Sequence, residues 1–100
     1  MKDTAIAWDN RRHTVLAIYD ISDTKRRNKM VKWLESYGIR VQKSAFEARL
    51  KKTEYDAMLQ GASKLIHPET DSLRVYLLPK ETYIKTWGRG ETHTDEVIIV

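Results

Sequence analysis

The residues best equipped for chemistry lie between positions 20 and 29. One aspartate, Asp20, closes the apolar run Thr14 to Tyr19, and Arg26, Arg27 and Lys29 follow a few positions on. Guanidinium and ammonium groups are donors that pair with phosphate, whereas a carboxylate is an acceptor that pairs with cations. Other reactive groups are sparse. There is no cysteine, which excludes a disulfide framework and a thiolate nucleophile or metal site. His13, His67 and His93 are far apart and none belongs to a paired-ligand motif. Ser44 has no histidine at a spacing that would activate it, and a hydroxyl at a bend usually bonds to backbone.

These groups must be placed by a strand and a helix. The run Val15, Leu16, Ala17, Ile18 does not alternate with polar residues, which predicts a central strand buried on both faces, with Asp20 at its carboxyl end. Ser22 or Asp23 is placed to cap the next helix, leaving Asp20 available for other work. Met30, Val31, Leu34 and Tyr37 recur at helical spacing with Trp33 on the flank, so Asp23 to Tyr37 reads as an amphipathic helix. Gly38 is expected to stop it in a left-handed conformation. Arg26 and Arg27 lie one turn before Met30 and Val31, so at least one should point back toward Asp20. The alternative is a surface ion pair or solvent exposure.

Further along, Ile39 to Leu50 reads as two short strands joined by a tight bend, or one bent strand. A second helix follows, with Thr53 as cap and Tyr55, Met58, Leu59, Ala62, Leu65 and Ile66 on one stripe, ending at His67-Pro68. Leu73 to Leu78 is a further strand, Tyr83 to Trp87 a possible short one, and Gly88 to Gly90 a flexible link. Trp33 and Trp87 read as packing residues. Residues 1–13 form an N-terminal extension, loosely held outside the core. The β-branched tail Val97 to Val100 should pair, from about residue 95 on, with a sheet edge, that of the partner subunit in a dimer. The order is the split βαβ plan of an α+β, ferredoxin-like βαββαβ sandwich, with both helices on one face of an antiparallel sheet and an extra C-terminal strand. A second copy stacking on the other face would make a homodimer.

The whole chain bounds these readings. One hundred residues, 41% hydrophobic and 32% charged, make one ordinary globular domain. No leader-like or membrane-length apolar run is present, so the expected location is cytoplasmic. Met1 to Lys52 carries 13 Lys and Arg against 6 Asp and Glu, while Thr53 to Val100 carries 5 against 8. That excess in one half suits a polyanionic partner such as nucleic acid, although a solvated basic helix face would look the same.

Tyr19-Asp20-Ile21, Asp23, Arg26-Arg27, Lys29, Leu34, Tyr37-Gly38, Arg40-Val41-Gln42, Ser44 and Phe46-Glu47 together resemble the signature of the CRISPR-associated Cas-two family, the smaller of two spacer-acquisition proteins. The match is close from Val15 to Leu50. The resemblance implies a ferredoxin-like homodimer in which Asp20 of each protomer faces its twin and the pair holds Mg²⁺. It implies a metal-dependent endonuclease cleaving RNA or DNA, with Asp20 as catalytic and metal residue. Arg26, Arg27 and Lys29 would contact nucleic acid, and Tyr19, Ser44 and Phe46 would support the site. It also implies a bridging role with the larger integrase subunit. The second function is a non-catalytic adaptor that binds duplex DNA and joins the integrase subunits. Two other classes fit the fold: an RNA-recognition motif, whose RNP1 pattern is absent, and a small-molecule-sensing regulatory domain.

Overall fold

The computed structural model describes Trp8 and residues 11–88. Six elements follow one another: β1 (His13–Asp20), α1 (Thr24–Glu35), β2 (Ile39–Gln42), β3 (Ala45–Leu50), α2 (Lys52–Ser63) and β4 (Ser72–Leu77). The strands form one antiparallel sheet in the order β2-β3-β1-β4, so β1 is central, as its apolar run predicts. This is the ferredoxin-like arrangement. The expected C-terminal strand lies outside the described residues.

The sheet has one covered face and one open face. His13, Val15, Ala17 and Tyr19 of β1 are buried, while Thr14, Leu16, Ile18 and Asp20 alternate with them on the other side, where Ile18 stays 39% exposed. The expectation of a strand covered on both faces therefore holds for one face of the single chain. The covered face packs on α1 and α2 through a core that includes Met30, Leu34, Phe46, Leu50, Met58 and Ala62. Each large side chain fully buried there contributes about 1.5–3 kcal/mol.

Local chemistry sets the element ends. Asp23 caps α1, its carboxylate accepting from the Arg26 amide at 2.9 Å. The start of α2 differs from expectation: Thr53 lies inside the helix, and the Glu54 carboxylate reaches back to the Lys51 amide at 2.8 Å. Gly38 also has a different reason to be glycine. Among the described residues only Gly88 has a positive φ; at Gly38 a Cβ would fall 2.1 Å from the Glu47 carbonyl oxygen. The turn out of α1 lies directly on β3, and close approach is what excludes a side chain there.

Two aromatic readings change. The expected strand at Tyr83 to Trp87 is irregular chain, and Tyr83 and Trp87 are exposed, so Trp87 is not a packing residue of the described structure. Part of the N-terminal extension is held. The Trp8 ring lies 4.7 Å from His13 and 5.1 Å from Tyr55, and the Arg12 guanidinium donates to Glu54 at 2.7 Å. Trp33 does pack: it covers Gly61 of α2 and donates from its indole nitrogen to the Met58 carbonyl at 3.0 Å.

Candidate functional site

At the carboxyl end of β1 the chain turns into α1 beside the β2–β3 bend, leaving a cleft of about 390 Å³. Its lining includes Tyr19, Asp20, Arg27, Asn28, Arg40, Lys43 and Ser44. The period-2 geometry of β1 sends Asp20 out of the sheet while Tyr19 goes into the core. Tyr19 is 2% exposed and packs on Phe46 with ring centroids 6.2 Å apart. Both aromatics are thus core residues. Tyr19 also shapes the cleft: its hydroxyl donates to the Lys43 carbonyl at 3.1 Å and its amide to the Ser44 carbonyl at 3.1 Å, fixing the bend.

The two arginines at the helix start take different directions. Arg27 lines the cleft with Asp20, its guanidinium steadied by the Ile21 carbonyl at 2.9 Å and Thr24 Oγ1 at 3.3 Å. Arg26 turns away to Asp71, in the connection between α2 and β4, at 2.9 Å and 3.2 Å. Asp71 is fully buried by side-chain area and also accepts from the amides of Ser22 and His67 and from Thr70 Oγ1. The Arg26 guanidinium first, and those further donors, hold the Asp71 carboxyl well below the usual carboxylate range. Arg26 is therefore committed to the frame of the molecule. Its ion pair is with Asp71 and not Asp20, and because the Asp71 side chain is buried it differs from the exposed surface pair the sequence allowed.

Lys29 is exposed and lies outside the cleft, on a basic stripe with Lys25 and Lys32 along α1. Arg40 and Lys43 join the site only in three dimensions, although Arg40 belongs to the pattern that carries the resemblance. Among the described residues neither has a carboxylate partner. A lysine at a strand–strand bend beside a strand-end aspartate is the sequence signal that points to Lys43. The cleft thus places three cations around one carboxylate, an electrostatic setting for an anion of phosphate size.

Among the described residues no three His, Asp or Glu side chains converge on a common point. One Asp20 with the Ser44 hydroxyl is too small a donor set for Mg²⁺, which takes six oxygens. A single chain does not fit the ion; two copies that brought their Asp20 side chains together would come closer. No described helix is long and apolar enough to cross a membrane.

A four-stranded antiparallel sheet in the order β2-β3-β1-β4 backed by two helices, with a cationic cleft around a strand-end aspartate, defines a class of small ferredoxin-like α+β proteins. Within that class the chain matches the family described as CRISPR associated protein Cas2 over residues 13–86. It belongs to that family. It is 43% identical over 72 residues to the CRISPR-associated endoribonuclease Cas2 3 of Synechocystis, covering 70% of this chain and 78% of that one. It is 39% identical over 72 residues to the CRISPR-associated endoribonuclease Cas2 of Thermus thermophilus, covering 72% and 77%. Streptococcus pyogenes Cas2 superposes with a TM-score of 0.66 at 33% identity, covering 75% of this chain and 99% of that one. A chain of a partial Cas6-RT-Cas1--Cas2 complex superposes with a TM-score of 0.53 at 32% identity, covering 69% and 81%.

Proposed function

We propose that this protein acts in CRISPR spacer acquisition as a homodimeric endonuclease. In this reading two copies associate through the open sheet face, and Asp20 of each holds a shared Mg²⁺. The observation that carries it is the cleft, in which an exposed carboxylate stands among Arg27, Arg40 and Lys43. The relatives named endoribonucleases support phosphodiester cleavage as the reaction. When bound, the ion would supply an activated water and charge stabilisation at the scissile phosphate. Arg27, Arg40 and Lys43 bind and orient the phosphate backbone of RNA or DNA, adding positive charge where negative charge develops. Asn28 and the Ser44 hydroxyl line the same cleft as neutral hydrogen-bonding groups. Tyr19 and Phe46 keep the bend, and hence Lys43 and Ser44, in place from below.

Titration of Mg²⁺ against single-stranded RNA, single-stranded DNA and duplex DNA tests the reading. Wild type should cleave at least one substrate in a metal-dependent way, and Asp20→Ala should lose that activity while still binding. Cleavage that survives Asp20→Ala would remove Asp20 from the chemistry.

The second reading is an adaptor that binds duplex DNA and bridges the integrase subunits, with Asp20 dispensable. Two observations favour it: the cations in the cleft outnumber the acids, and a solved chain of the same fold belongs to an assembly containing Cas1. If Asp20→Ala supports spacer integration in a reconstituted complex and purified wild type never cleaves, the adaptor reading stands alone.

A further inference from the structure

Glu47 is an acid in an apolar setting, at the centre of the open sheet face. It pairs across the sheet with Leu16 of β1 on one side and Ile39 of β2 on the other. Its side chain is half-buried in the single chain, and one carboxylate oxygen, Oε1, is fully buried with no hydrogen-bond partner. An orphaned acceptor of this kind costs stability wherever it is ionised, and the cost rises with further burial.

The charged groups around it do not answer it. Arg49, two positions along on the same face, forms no ion pair with it, and the Arg12 guanidinium is spent on Glu54 and the Arg49 carbonyl. Arg74 and Tyr76 lie on β4, two strands away, with the Arg74 guanidinium donating to the Tyr76 hydroxyl. Asp20 sits at the far end of β1. The covered-face helices present nothing to this side of the sheet. Burial alone already pushes the Glu47 carboxyl above its ordinary value.

We propose that Glu47 makes association of two copies proton-linked: each protomer takes up one proton at Glu47 when the open face is covered. This rests on the homodimer reading above and adds a group that controls it. The sign follows from linkage. A carboxyl that prefers its proton in the dimer supports association fully at low pH, and that support is lost as pH rises through its raised value. The protonated form is also a donor, so it can satisfy a neighbouring acceptor instead of stranding a charge.

The test is sedimentation velocity across about pH 4.5 to 8, with folding checked by urea titration at each pH. It uses Asp20→Asn protein throughout, so that a pair of strand-end acids does not add its own titration. The dimer Kd should rise with pH by roughly ten- to a hundredfold per unit in the transition, because up to two protons are bound per dimer. Adding Glu47→Gln, and separately Glu47→Leu, should abolish the dependence and hold Kd near its low-pH value. A dimer whose slope survives both substitutions, or whose Kd ignores pH, overturns the proposal. So does a slope of opposite sign, the signature of an arginine or lysine of the second copy seated on ionised Glu47. If every variant is monomeric at every pH, the homodimer reading fails and takes this inference with it.

Discussion

Asp71 shows how a polar residue with no part in the cleft still decides which arginine serves it. By engaging Arg26 through two hydrogen bonds it leaves Arg27 as the helix-start guanidinium beside Asp20. Because its carboxyl is held below the ordinary value of 3.8, it contributes stability that is present above that value and lost as pH falls beneath it. Asp71→Asn should therefore lower stability at neutral pH and flatten the acid limb, as followed by urea midpoints between about pH 2 and 7. An unchanged acid limb would show that other carboxylates carry it. The sequence could not reveal this pair: Arg26 and Asp71 are 45 positions apart, and nothing in their local pattern links them. Asp20, by contrast, was legible from position alone, since it ends an apolar run and the capping duty falls to Asp23.

At the level of elements, the contact between the helices turns on one small residue. A Cβ on Gly61 would lie 2.2 Å from the Trp33 ring, so α2 meets α1 with the indole laid on bare backbone. Gly61→Ala should destabilise the domain by about 1–3 kcal/mol despite better helix propensity, through overpacking. In a Trp33→Leu background the same substitution should cost little, and chemical denaturation of all four proteins gives the coupling. Additive effects would mean the ring moves aside freely. Periodicity made both helices legible and an unbroken apolar run made β1 so, because a stripe of Tyr55, Met58 and Ala62 or a run such as Val15 to Ile18 has few other uses, while Ile39 to Leu50 read equally as two strands or one bent strand. What escaped it were features set by contacts between elements. Gly38 reads as a left-handed stop yet is a close approach to β3, and Trp87 reads as packing yet is exposed.

For the molecule as a whole, three groups of cations in the basic half have different surroundings, namely those in the cleft, an exposed stripe on α1, and Arg26 in the frame, while Arg12 and Lys52 are held by Glu54 and Asp56. Nucleic-acid affinity measured against salt by fluorescence anisotropy separates them. Arg27→Ala and Lys43→Ala should each reduce the slope of log K on log salt by about 0.7–0.9 for every phosphate left without its cation. Arg26→Ala should leave that slope unchanged while lowering stability. If Arg26→Ala behaves like Arg27→Ala, the division is wrong. Charge balance suits a polyanionic partner but cannot sort which cations would meet it, since that depends on where each side chain goes. The alternation along β1 also limits how this chain can vary. Odd positions feed the interior and even ones the exterior, so a residue inserted or deleted within His13–Asp20 would exchange the two sets from that point on. Tyr19 and Asp20 would trade places in one event, spoiling interior and cleft together. Within β1 a change of length therefore strikes the acid and its supporting ring at once, whereas β2, at the sheet edge, carries a register shift between Arg40 and Gln42.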